Sequence, residues 1–101
     1  MYCGVKISAP SEEEADEIAR RLVEKRLASG TRITSGKSHY RWKGEIVEKE
    51  YWNIEAYSLK KKKEEIIEEV EKIHSDECPV ITFSEIDGNK DFLEWIEENI
   101  K

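Results

Sequence analysis

Tyr40-Arg41-Trp42-Lys43-Gly44-Glu45-Ile46-Val47-Glu48 decides the fold, because it reads as the tight turn of a long β-hairpin. Gly44 supplies the positive φ that a short connection needs, the Lys43-Gly44-Glu45 tip is polar, and the flanks hold β-branched and aromatic residues. Working outward, residues 31 to 42 and 45 to 58 form the two strands. In the second, Trp52, Ile54 and Ala56 alternate with Tyr51, Asn53, Glu55 and Tyr57, so one face is apolar and the other polar. Tyr40 and Trp42 beside the turn serve either as cross-strand packing or as one wall of a binding site.

Upstream, residues 2 to 8 alternate with Cys3, Val5 and Ile7 on one face, and Pro10 ends that strand. Ser11 and Glu14 form a capping box, followed by Ala15, Ile18, Ala19, Leu22, Val23 and Leu27 at helical spacing. The pattern predicts a helix over 11 to 29 closed by a left-handed Gly30. Downstream, Leu59, Ile66, Ile67, Val70 and Ile73 predict a second helix over 59 to 74 behind a Ser58 cap. Its opening run, Lys60 to Lys63, sits at the positive end of the helix dipole and reads as a solvated face. Val80 to Ser84 forms a short strand, Asp87-Gly88-Asn89 a turn, and residues 90 to 100 an amphipathic helix expected to cover a sheet edge or a neighbouring subunit.

The order β-α-β-β-α-β-α, with right-handed crossovers, predicts an α+β fold: a ferredoxin-like α/β sandwich with an antiparallel sheet and an added C-terminal helix. Strands one and three should be central neighbours, with strand four antiparallel beside strand one. Cys3 and Cys78 then lie at opposite ends of the sheet, and reduced thiols are expected.

A chain of 101 residues forms one domain, 1–101, at the small end of what builds a self-sufficient core. With 38% hydrophobic residues, a sheet covered by helices on one face is easier to satisfy than one covered on both, and oligomerisation adds burial. The 23 acidic against 17 basic residues, net charge -6, argue against nucleic-acid binding. The Lys/Glu richness matches heat-adapted surfaces, so thermostability is expected. No apolar run is long enough to span a membrane and no signal peptide is visible, so a cytoplasmic location is expected.

Catalytic motifs are absent: there is no phosphate-binding glycine loop, nucleophile elbow or metal-ligand spacing among His39, His74, Cys3 and Cys78. A non-enzymatic protein is expected, since no nucleophile with an adjacent base can be named.

Along its whole length the chain resembles the CutA family of divalent-cation tolerance proteins. The likeness is carried by Ser38, Tyr40 and Trp42-Lys43-Gly44-Glu45-Ile46-Val47-Glu48, and by Asp91-Phe92-Leu93-Glu94-Trp95-Ile96-Glu97-Glu98. Arg26-Leu27-Ala28, His74 and Pro79 add to it. The resemblance implies a ferredoxin-like homotrimer, sheets inward and helices outward, linked to tolerance of copper and other divalent metals. It also implies an inter-subunit cleft around Tyr40, Trp42 and His74 that binds a small ligand or partner. The alternatives are a PII-like signalling protein, or a purely structural trimer in which the same aromatics only pack subunits together.

The departures bear on metal chemistry. Ser29-Gly30 stands where the family commonly has Ala-Cys, and Ser75-Asp76 replaces the usual Pro-Tyr. Members credited with copper binding use a cysteine at the end of strand one and two consecutive histidines, positions that hold Ile7, Ile73 and His74 here. His74 is thus the single candidate ligand, and one imidazole does not make a tight transition-metal site. No cofactor beyond a weakly held divalent metal such as copper is expected.

Overall fold

A computed structural model describes all residues 1–101. The chain runs β1 (Tyr2–Ala9), α1 (Glu12–Glu24), β2 (Gly30–Trp42), β3 (Glu45–Leu59), a 3-10 turn (Lys60–Lys62), α2 (Lys63–Ile73), β4 (Val80–Glu85) and α3 (Lys90–Asn99). The sheet has the order β2-β3-β1-β4 with every neighbouring pair antiparallel, as the ferredoxin-like reading requires. No helix is long and apolar enough to cross a membrane.

Alternation places Cys3, Val5, Ile7 and Ala9 of β1 with Ile54 and Ala56 of β3 on one buried face. Ala15, Ile18, Ala19 and Leu22 of α1 and Ile66 and Val70 of α2 close over it. Each fully buried Ile, Leu or Val contributes about 1.5–3 kcal/mol of transfer free energy. The Ser11 hydroxyl accepts from the Glu14 N–H at 3.2 Å, which caps α1 as the sequence predicts.

Gly30 does not cap that helix. Helix α1 ends at Glu24, and Arg26 takes the left-handed conformation (φ 57°), so that the Leu27 and Ala28 N–H groups both reach the Leu22 carbonyl. The sharp turn brings Leu27 and Ala28 into the core, which outweighs the strain of a positive φ at arginine. Ser58 is no cap either: it is fully buried and its hydroxyl donates to the Leu27 carbonyl, anchoring the loop between α1 and β2. The lysine run therefore begins with a 3-10 turn, and α2 starts at Lys63 with no side-chain cap.

Helix α3 reaches the edge strand β2, as expected, through Trp95 on Gly30. It packs on the second face of the sheet, at the end where Ser84, Gly4, Tyr57 and Gly30 stand in one cross-strand row. The two glycines leave room there. Trp95 lies over Gly30, Ile86 over Gly4, and Phe92 meets Tyr57 edge-on at 5.1 Å. Tyr2 fastens the helix by donating to Glu97 at 2.8 Å, and Ile96 is fully buried beneath it. The next row along that face, Thr82, Lys6, Glu55 and Arg32, carries no helix.

One helix carboxylate lies inside the structure. Glu69 is buried between α1 and α2, 6% exposed, with Arg21 at 3.1 Å, Lys25 at 3.3 Å and Lys72 at 3.5 Å. Burial pushes its carboxyl up, but the hydrogen bonds from Lys25 and Arg21 and the charges of Lys25 and Lys72 prevail and hold it below the usual range.

Candidate functional site: the cleft beside the hairpin

Strand β1 ends opposite Trp52, so the hairpin runs on beyond the sheet from Tyr51 and Gly36 to Trp42 and Glu45. Two residues connect its strands, Lys43 (φ 51°) and Gly44 (φ 82°), both left-handed, and this type I′ geometry matches the twist of the ribbon. With that register, the even-numbered residues of β2 share a face with the odd-numbered residues of β3. Tyr40, Trp42, Lys49 and Tyr51 therefore stand on one side, continuous with the helix-free part of the sheet.

The segment between α2 and β4 forms the opposite wall. Lys43 at the turn reaches Glu77 at 3.4 Å, and the Tyr51 hydroxyl donates to the Asp76 carboxylate at 3.0 Å. Between the walls lies a cleft of about 290 Å³ lined by Tyr40, Trp42, Lys49, Tyr51, Asp76 and Cys78. A neighbouring depression of about 390 Å³ shares most of those residues and extends to Ser8, Asn53 and Val80. These volumes are at the lower end of small-molecule sites.

Tyr40 and Tyr51 meet edge-on with ring centres 6.0 Å apart and hydroxyls 3.2 Å apart. A carboxylate only accepts, so Tyr51 spends its proton on Asp76 and Tyr40 must donate to Tyr51. The Tyr40 oxygen is left with lone pairs for anything in the cleft. Burial pushes the Tyr51 phenol well above its ordinary value, and the bonds to Tyr40 and Asp76 add to the shift. Two ammonium groups sit on aromatic faces: Lys43 Nζ lies 5.7 Å from the Trp42 ring centre and Lys49 Nζ 5.3 Å from that of Tyr51.

Of the three residues singled out in the sequence, the structure brings Tyr40 and Trp42 together and leaves His74 out of the cleft. The His74 side chain is fully buried behind the wall. Its Nε2 donates to the Ser8 carbonyl at 2.6 Å and its Nδ1 accepts from the Asp76 N–H at 3.2 Å. These two bonds define the neutral tautomer with the proton on Nε2. Glu14, 3.5 Å from Nδ1, accepts from the Ser75 N–H at 3.0 Å. His74 thus ties the loop carrying Asp76 to β1, and ligating a metal would require it to give up one of those bonds. Nowhere do three His, Cys, Asp or Glu side chains converge around a point where a metal ion could sit. Cys3 is buried, its thiol pushed up by that burial, and Cys78 is exposed at the cleft.

Sequence reasoning missed Tyr51, Lys49 and Asp76. Strand parity counted from the turn would have found the first two, since it aligns them with Tyr40 and Trp42. Asp76 carried no such signal, because its position depends on how the loop after α2 folds back.

Comparison with known proteins gives one consistent answer. The chain is 37% identical over 102 residues to the divalent-cation tolerance protein CutA of Archaeoglobus fulgidus, covering all of both chains. With its Thermus thermophilus counterpart it shares 38% identity over 97 residues, 94% of each. The solved structure of the Archaeoglobus protein, described as a periplasmic divalent cation tolerance protein, matches at a TM-score of 0.97 over the whole of both chains. That of Thermus thermophilus matches at 0.96, likewise over the whole of both. Because the model of the CutA1 divalent ion tolerance protein family also matches residues 3–99, this chain belongs to the CutA family of divalent-cation tolerance proteins.

Proposed function

We propose that the chain acts as a non-enzymatic homotrimer in tolerance of, or response to, divalent metal ions such as copper, with the cleft at Tyr40 and Trp42 binding a small ligand or partner. The observation that carries this reading is the cleft itself, an open groove in which Tyr40 donates to Tyr51 and Tyr51 to Asp76, leaving the Tyr40 oxygen as an acceptor. The family membership supplies the metal context. His74 supports the loop, so in this reading the metal response works through the cleft or a partner. A cytoplasmic location goes with this reading, and cell fractionation decides between it and the periplasm ascribed to the Archaeoglobus protein.

Exposed apolar side chains favour assembly. Ile46 on the ribbon is 68% exposed and Val80 on the edge strand β4 51%. A closed threefold trimer would place the helix-free sheet face inward. Light scattering at micromolar concentration should give about three times the chain mass of 11.9 kDa, and a monomer rejects the assembly.

A thermal-shift screen of metals, nucleotides and anions on the wild type and Trp42→Ala tests the binding role. At least one compound should raise the wild-type Tm and fail to do so in the variant. If no stabilisation depends on Trp42, the aromatics serve subunit packing alone. In calorimetry, Cu(II) should show no submicromolar one-per-subunit site, and one that His74→Ala abolishes would overturn that expectation.

A further inference from the structure

The charges around the cleft are unevenly satisfied. Lys43 is paired with Glu77 at 3.4 Å and Lys37 with Glu48 at 3.3 Å. Lys49 has no carboxylate within ion-pair reach and rests only on the Tyr51 ring. Asp76 faces no cation, and its carboxylate is engaged only by the Tyr51 hydroxyl. Within the subunit, one ammonium and one carboxylate without a counter-ion thus share a single cleft, on the ring and at the hydroxyl of the same tyrosine, without pairing to each other.

A ligand of one charge would satisfy half of this arrangement and oppose the rest. An anion attracted to Lys49 meets Asp76, and a cation attracted to Asp76 meets Lys49. The Tyr40 oxygen, reduced to an acceptor, calls for a hydrogen-bond donor on the same side as Asp76. Beside these groups the indole of Trp42 offers an apolar wall, and the space of about 290 Å³ admits a molecule the size of one residue.

We propose that the cleft binds a free zwitterion of the α-amino-acid class, its ammonium on the Tyr40 and Asp76 oxygens, its carboxylate on Lys49 and its apolar side chain against Trp42. The proposal rests on the ligand-binding reading of the cleft given above and narrows it to one chemistry. Charge-assisted hydrogen bonds at both ends give selectivity, because a molecule lacking either end leaves a protein charge partly desolvated and unpaired.

Calorimetric titration of the assembled protein with L-leucine, 3-methylbutylamine and 4-methylpentanoate tests it, the last two each keeping one charged end. L-Leucine should bind saturably, and each analogue should bind at least about tenfold more weakly. Lys49→Met and Asp76→Asn, confirmed as folded by their melting curves, should each lower leucine affinity by at least about tenfold. Asp76→Asn should also erase the preference for leucine over 4-methylpentanoate. Equal binding of leucine and either analogue overturns the proposal, as does leucine binding indifferent to Lys49→Met. If a metal, nucleotide or anion binds in a Trp42-dependent way and leucine does not, the cleft remains a ligand site and the zwitterion is wrong. If no probe binds, both readings fail.

Discussion

The indole of Trp95 lies directly on Gly30, where an added Cβ would approach its Cη2 to 3.1 Å. The ring cannot slide away freely, because it is stacked on Phe92 at 5.7 Å and Phe92 is held edge-on by Tyr57. Gly30→Ala should therefore destabilise by about 1–2 kcal/mol, read as a lower urea midpoint at unchanged m. In a Trp95→Ala background the same substitution should be close to neutral. Equal effects in both backgrounds would show that the contact imposes no constraint.

The turn at Lys43-Gly44 invites the opposite result. Lys43 holds φ 51°, a conformation asparagine tolerates better, and its ion pair with Glu77 joins two side chains about 70% exposed. Lys43→Asn should raise stability by a few tenths to about 1 kcal/mol. A lower Tm would mean that the link to Glu77, or the ammonium over Trp42, outweighs the backbone strain.

Glu69 gives a pH dependence. Its folded carboxyl lies below the unfolded value, so the unfolded chain binds the extra proton first. The stabilisation is complete above the unfolded value of about 4.5 and is lost as pH falls through the folded one. Glu69→Gln should cost about 1–2 kcal/mol at neutral pH, discounted because Arg21 and Lys25 remain 37% and 48% exposed. The difference between variant and wild type should shrink as pH falls below 4. A difference constant from pH 7 to pH 3 would assign the effect to packing instead of charge.

Lys6 and Glu55 are direct cross-strand partners, with Arg32 beyond Glu55 and Thr82 beyond Lys6, yet no ion pair within 4 Å joins them. Opposite charges so placed on a wet sheet couple by roughly 0.2–1 kcal/mol. If the proposed trimer buries this face, a double-mutant cycle of Lys6→Met and Glu55→Leu should give about 1 kcal/mol or more. Additive effects would leave the face solvated in the assembly.

The elements and their order were legible because each has a strong period: alternation in the strands, three- and four-residue spacing in the helices, and the Ser11 cap and Gly44 turn between them. The errors fell where tertiary packing overrode a local signal. Gly30 and Ser58 look like helix punctuation, yet one makes room for Trp95 and the other anchors a loop from inside the core. Arg26 shows no preference for a left-handed turn and adopts one because Leu27 must reach the core. At the site, the aromatics beside the turn were readable, while the role of His74 was not. A histidine at the end of a helix looks the same in sequence whether it faces a ligand or, as here, braces a loop through Ser8 and Asp76.

The ribbon beyond Trp52 has bearing on how the molecule breathes. Within the subunit its strands bond to each other and to no third strand, and most of its side chains are exposed. Amides near Lys43 and Gly44 should exchange with solvent through local opening that leaves the core amides of β1 protected. Lysine, arginine and glutamate along both rims discourage stray strand pairing while it opens. The cleft therefore has one wall that can fluctuate on its own, and an occupant seated against Tyr40 and Trp42 would register first as slower exchange in the ribbon.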